Sequence, residues 1–182
     1  MEKYMNDLRE KKVDGEAKYR GRIINVRLDE VELPSGNRSF REVVEHPGAV
    51  ALLGETVDGE LVLIRQFRYP TGETLIEIPA GKLENGESPE DCVRREMMEE
   101  TGYKIGDLEL LSGIYSTPGF CDEVIYIFRG YNLEYIKEPA GEDENGDEEN
   151  LHTLLLTREE AMRMIKSGEI YDAKTVIALL WP

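Results

Sequence analysis

The sequence predicts an α+β fold on three observations: strand patterns fill residues 19–67, one helix carries complete start and stop signals, and two further helical patterns close the chain. In order, "RIINVRLDEVEL" and "SFREVVEH" flank the turn "PSGN", while "AVALLGETV" and "ELVLIRQF" flank Asp58-Gly59, so two hairpins are expected. Asp58-Gly59 is the stronger signal, because a two-residue primed turn needs positive φ and this pair tolerates it. The pattern changes after "TLIEIPAG". Ser88 supplies an N-cap, Pro89 suits the first helical position, Asp91 is an acid three residues after the cap, and Gly102 stands where helices end; a helix is expected over Pro89–Thr101. Strands return in "LELLSGIYS", "VIYIFRGYNL" and "LHTLLLT", and helices in "REEAMRMIKSG" and "AKTVIALLW". The acid-rich "EPAGEDENGDEEN" reads as a loop. Residues 1–45 are expected to form a strand-rich subdomain or a dimerisation arm, and residues 46–182 the main domain.

The chain's 182 residues suffice for one core-forming domain with a small appendage. A formal net charge of −16 repels polyanions, which argues against nucleic-acid and anionic-lipid partners. An anionic substrate would therefore need metal ions as intermediaries. "MEKYMNDLREKKVDG" holds no apolar run long enough for a signal peptide or membrane span, so a cytoplasmic location is expected. Cys92 and Cys121 are too few for a disulfide framework and lack zinc spacing. His46 and His152 have no partners at ligand spacing and receive no role.

Residues 81–103, "GKLENGESPEDCVRREMMEETGY", hold seven carboxylates. At 100° per residue, Glu96, Glu99 and Glu100 share one arc of the helix with Cys92, Arg95 lies at its border, and Val93 and Met97 lie on the next flank. Glu96 and Glu100 are like charges at i and i+4, a spacing that costs an isolated helix a few tenths of a kcal/mol. A hard divalent cation, which takes carboxylate and carbonyl oxygens, turns that repulsion into coordination. A solvated acidic face is the competing reading of a bare E-x-x-E-E.

The spacing goes further. Gly81, Glu87, Arg95, Glu96, Met97, Glu99, Glu100, Gly102 and Tyr103 fit G-x5-E-x7-R-E-U-x-E-E-x-G-U, with U bulky and apolar or aromatic, at every position. This resembles the box of the Nudix hydrolases. The resemblance implies the Nudix fold, a mixed β-sheet core sandwiched between helices, here with an N-terminal antiparallel β subdomain. It also implies a loop-helix-loop that binds divalent metal and cleaves a nucleoside diphosphate linked to another group. By that likeness Glu96, Glu99 and Glu100 are the metal ligands, joined by the backbone carbonyl of Ala80, and Glu87 and Arg95 form a supporting ion pair. The cation implied by the resemblance is Mg²⁺, with Mn²⁺ or another divalent ion as alternatives.

Further features are similar to the ADP-ribose pyrophosphatase branch: "RQFRYP", "EIPAGKLE", Pro118 fifteen residues after Tyr103 within "STPGFCDE", and "GEIYDAKTVIALL". They imply a homodimeric enzyme that hydrolyses ADP-ribose to AMP and ribose 5-phosphate. The general base is implied to lie in the acidic loop at Glu149, with Glu148 and Asp147 as alternatives. Arg68 is a candidate for a phosphate, through its forked guanidinium. Glu77 is a candidate for the adenine amino group, against an ordinary outward strand residue. Pro118, Gly119 and Phe120 are further substrate candidates, and Tyr19, Tyr69 and Phe120 are candidates for stacking on the base. GDP-mannose, NADH and dinucleoside polyphosphates are rival substrates. A non-catalytic nucleotide-binding module is the rival of another class, disfavoured because every box carboxylate is retained.

Overall fold

The computed structural model describes residues 8–137, 139 and 150–182. They form two compact units: Met1–Pro47 with Tyr115–Glu123, and Gly48–Ile114 with Val124–Pro182.

The first unit is built on an antiparallel sheet in the order β1 (Lys11–Arg20), β2 (Asn25–Glu32), β3 (Arg38–Glu45). The β2–β3 hairpin turns at Pro34–Asn37, where Leu33 N–H donates to the Asn37 carbonyl at 2.8 Å. Strand β1 escapes a sequence reading. All ten of its residues are exposed, so it carries no apolar alternation, and its backbone pairing with β2 alone defines it. Asp29 on β2 is 4% exposed and lies 2.7 Å from the Lys12 ammonium of β1, with Arg27 also on its carboxylate. Chiefly through the Lys12 contact, its carboxyl is held below the usual range.

The second unit is a mixed eight-stranded sheet between helices. The central path runs β11 (His152–Leu156), β5 (Leu61–Arg68), β4 (Ala49–Thr56), β10 (Val124–Tyr135), β8 (Tyr103–Lys104). Strands β6 (Glu73–Glu77), β7 (Ala80–Lys82) and β9 (Asp107–Tyr115) add to β5, β4 and β10. The β4–β10 pair is parallel, and the β8–β10, β5–β11, β4–β5, β4–β7 and β5–β6 pairs are antiparallel. Because both faces of β4 and β5 are covered, these strands read as continuous apolar runs. On one face Val50, Leu52, Val62 and Phe128 pack on Cys92, Val93 and Met97 of helix α1 (Pro89–Thr101). On the other, Leu53, Leu61, Leu63 and Ile127 pack on Ala161 of α2 (Arg158–Ser167) and on Ala178 and Leu179 of α3 (Ala173–Leu180).

The β4–β5 turn differs from the expected two-residue form. Gly59 alone has positive φ (81°), and Asn132 is the one non-glycine residue of that kind among the described residues. Gly59 N–H donates to the Thr56 carbonyl and Thr56 N–H to that of Glu60. Three residues, Val57 to Gly59, therefore make the loop, with the glycine taking the left-handed position of a bulge and sparing Asp58 a positive φ.

Candidate active site

Helix α1 begins as its sequence predicts. The Ser88 hydroxyl accepts the Asp91 N–H, and Pro89 follows in the first turn. It ends at Gly102, φ 75°, whose N–H donates to the Met98 carbonyl at 3.1 Å. A Cβ at Gly102 would fall 1.8 Å from the Lys137 carbonyl oxygen, so glycine is required there by contact as well as by φ.

Burial of Cys92, Val93, Met97 and Thr101 sets the rotation of α1 and presents its acidic flank to β7. Glu100 is 4% exposed, and its Oε2 accepts the Ala80 N–H at 3.0 Å. Glu96 lies against Gly81, where a Cβ would come within 1.7 Å of its carboxyl carbon. The glycine of the motif is thus the cradle for a carboxylate. Among the described residues, no three side chains of His, Cys, Asp or Glu converge into a ready-made metal cage.

Arg95 stands among the acids. Its Nε and Nη2 each donate to Glu87 at 2.9 Å in a forked pair, and its Nη1 donates to Glu96 at 2.8 Å and Glu99 at 3.0 Å. The expected Glu87–Arg95 pair is present; the engagement of Glu96 and Glu99 by the same guanidinium goes beyond it. Hydrogen bonding from Arg95 outweighs burial and holds the Glu87 carboxyl down to about 2. Arg95 is pushed up in turn, first by Glu87. Cys92 is fully buried, and burial followed by the Glu87 contact drives its thiol upward, which leaves an inert packing group.

Arg68 and Glu77, separate substrate candidates in the sequence, are joined to each other. Arg68 Nε and Nη2 donate to the two carboxylate oxygens of Glu77, both at 2.9 Å. Glu77 is 1% exposed, so it is no outward-facing strand residue, and Lys174 of α3 also pairs with it. Burial pushes its carboxyl up, but the Arg68 and Lys174 contacts win and hold it below the ordinary range. Glu100 adds to the field that raises Arg68, which relates this cluster to the acidic flank. Sequence reasoning missed Lys174, Asp172 and Thr175. Fully buried Thr175 accepts the Ile78 N–H at 2.9 Å and donates to the Asp172 carboxylate at 2.6 Å. The Asp172-x-x-Thr175 cap pattern was the available signal.

Pro118, Gly119 and Phe120 belong to the first unit. They line a pocket of about 470 Å³ with Arg41, Tyr115 and Asp122. Val44 N–H donates to the Phe120 carbonyl at 2.7 Å. Phe120, Tyr19 and Tyr69 are all exposed. The His46 backbone N–H donates to Asp122 at 2.8 Å and its ring lies 3.5 Å from Glu123. Glu149, Glu148 and Asp147 lie outside the described residues.

Residues 45–179 match the NUDIX domain and residues 10–44 the nucleoside diphosphate sugar hydrolase N-terminal domain. The chain is 42% identical to an ADP-ribose pyrophosphatase of Bacillus subtilis, over 96% of this chain and 93% of that protein. It is also 42% identical to a methanol dehydrogenase activator of Bacillus methanolicus, over 93% and 90%. A GDP-mannose pyrophosphatase of Escherichia coli K12 is 41% identical over 78% and 76%. A crystal structure of an ADP compounds hydrolase superposes with a TM-score of 0.81 over 97% of this chain and 94% of that one, at 22% identity, and so matches the fold. With its box intact and its length matched almost end to end, this chain belongs to the NUDIX domain family and is a Nudix hydrolase.

Proposed function

We propose that this chain hydrolyses the pyrophosphate bond of ADP-ribose, giving AMP and ribose 5-phosphate, in a reaction that depends on Mg²⁺ or a related divalent cation. The observation that carries the reading is the contact of Glu100 with Ala80, which fixes an intact acidic helix flank against the strand on which the box opens. The substrate follows the likeness to the Bacillus subtilis ADP-ribose pyrophosphatase. Glu96, Glu99, Glu100 and the Ala80 carbonyl would hold the cation, an all-oxygen set suited to a hard ion, and Gly81 leaves Glu96 room beside the strand. When bound, the ion supplies positive charge against the diphosphate oxygens.

The chain's own residues do the rest. Glu87 and Arg95 hold the ligand-bearing flank in register with the loop that precedes it. Arg68, oriented by Glu77 and Lys174, offers a cation near Glu100 for a phosphate oxygen. Glu149, with Glu148 and Asp147 as alternatives, takes a proton from the water whose oxygen attacks phosphorus as the bridging P–O bond breaks. Pro118, Gly119 and Phe120 contribute to the nucleotide site. Residues 1–45 act as the dimerisation arm of a cytoplasmic homodimer, and residues 46–182 carry the chemistry.

The test is a panel: ADP-ribose, GDP-mannose, NADH and diadenosine polyphosphates with purified protein and Mg²⁺, products separated by chromatography. AMP and ribose 5-phosphate from ADP-ribose in preference to the other products are expected. GMP as the main product would favour the second reading, which rests on the GDP-mannose pyrophosphatase likeness. Absence of any mononucleotide would leave a binding module.

A further inference from the structure

Six residues surround the Arg95 guanidinium as hydrogen-bonding and ion-pair partners, and they divide by edge. The Nε–Nη2 edge forks onto Glu87, with the Lys82 carbonyl at 3.4 Å and Cys92 Sγ at 3.5 Å from Nη2, and Glu84 3.6 Å from Nε. The Nη1 corner serves only acids of the helix, Glu96 and Glu99. Glu87 precedes the helix and belongs to no proposed ligand set. Glu96 and Glu99 do.

We infer that Arg95 is an internal counterion exchanged for the metal: its Nη1 corner neutralises Glu96 and Glu99 while the cation is absent and gives them up when it binds. The inference rests on the divalent-cation reading above. One Nη1 nitrogen shared by two carboxylates is a weaker neutraliser than a divalent ion that coordinates both oxygens directly. The forked edge holds the guanidinium on Glu87 throughout, because two parallel charge-assisted hydrogen bonds need no help from Nη1. Side-chain exposure singles out Glu99, at 40%, as the carboxylate that water and ions reach first, whereas Glu96 at 16% is as sheltered as Glu87 at 15%. Arg95 therefore solves for the metal-free protein the problem of the crowded acids, and in doing so competes with the ion it keeps the site ready for. A purely supporting role for Arg95 makes the opposite forecast, since loss of a supporting residue weakens metal binding.

Two measurements separate these. First, thermal melting of wild type and Arg95→Gln, each with and without saturating Mg²⁺. The variant should lose more melting temperature without the ion than with it, so that its Mg²⁺-induced rise exceeds that of wild type by roughly 2–4 °C, a shift of the size expected for loss of one charge-assisted contact in a domain of this length. An equal loss with and without Mg²⁺, or a smaller Mg²⁺ response in the variant, overturns the inference. Second, nitrogen NMR of the arginine side chains in wild type, with the Arg95 signals assigned from the variant, needs no stable mutant in the metal-free state. Mg²⁺ should shift and mobilise the Arg95 Nη1 group while Nε–H stays protected; an unchanged Nη1 at saturation counts against exchange. If wild type shows neither a melting shift nor any spectral change with Mg²⁺, the cation reading itself falls and the inference with it, whereas a wild-type response with no gain in Arg95→Gln sinks the inference alone.

Discussion

Ala80 donates its backbone N–H to the Glu100 carboxylate at 3.0 Å, so the helix that carries the acids is tied by one of them to β7, the strand on which the box opens. Changing Glu100 to Gln keeps an oxygen for that N–H and removes the charge. The fold should survive, with a melting temperature near that of wild type, while turnover falls by roughly 10²–10³-fold, the scale seen when one preorganised electrostatic group is lost. Steady-state rates on ADP-ribose beside a thermal melt check both halves. Near-normal turnover would remove Glu100 from the catalytic set.

Gly81 gives a cleaner separation of site from stability. A Cβ there meets the far end of the flexible Glu96 side chain, which can swing away at little cost. Gly81→Ala should melt within about 2 °C of wild type, a shift worth under ~1 kcal/mol in a domain this size. Its response to Mg²⁺ should nonetheless weaken as Glu96 is displaced. A variant that unfolds outright would show that the backbone, and not Glu96, needs the space.

The Arg68–Glu77–Lys174 cluster is buried on the Glu77 side and open at Arg68, whose side chain is 37% exposed. Loss of the charge in Glu77→Gln leaves Lys174, 11% exposed, beside a neutral amide. Breaking a fully buried pair costs about 3–5 kcal/mol, and solvent at Arg68 lowers the figure to about 2–3 kcal/mol. Urea denaturation should show it as a lower midpoint with unchanged slope. No change in midpoint would mean the carboxylate's desolvation cancels its pairing.

Acid should loosen the protein through Glu87. Its carboxyl titrates near 4.5 when unpaired and at about 2 in the fold, so the unfolded chain binds the proton first as pH falls. The stabilisation is complete above the unfolded value and is lost progressively between about pH 5 and pH 2. Glu160, held low by hydrogen bonding from Thr157 in the α2 cap, acts in the same direction. Melting temperature against pH should flatten over that range in Glu87→Gln; an unaltered profile would assign the acid sensitivity elsewhere.

Helix α1 was legible from sequence to the residue because its signals are local: a hydroxyl, a proline and a glycine fix both ends within one stretch. Strand β1 was not, since its ten exposed residues obey only their partner's backbone. The same limit governs the site. The Glu87–Arg95 pair spans eight residues and could be read from the motif; the Arg68–Glu77–Lys174 cluster brings α3 to β6 across 97 positions and leaves no trace in spacing. Arg95 also shows what charge counting alone does not reveal. Besides the cation expected among the acids, the chain places a charge of its own on Glu96 and Glu99.

Thr175 on α3 accepts the Ile78 N–H two residues before Ala80. Because the two groups lie 97 positions apart, the segment leading into Ala80 is fastened only once α3 has docked. Undocking of α3 should accordingly silence the protein while most of its sheet still stands.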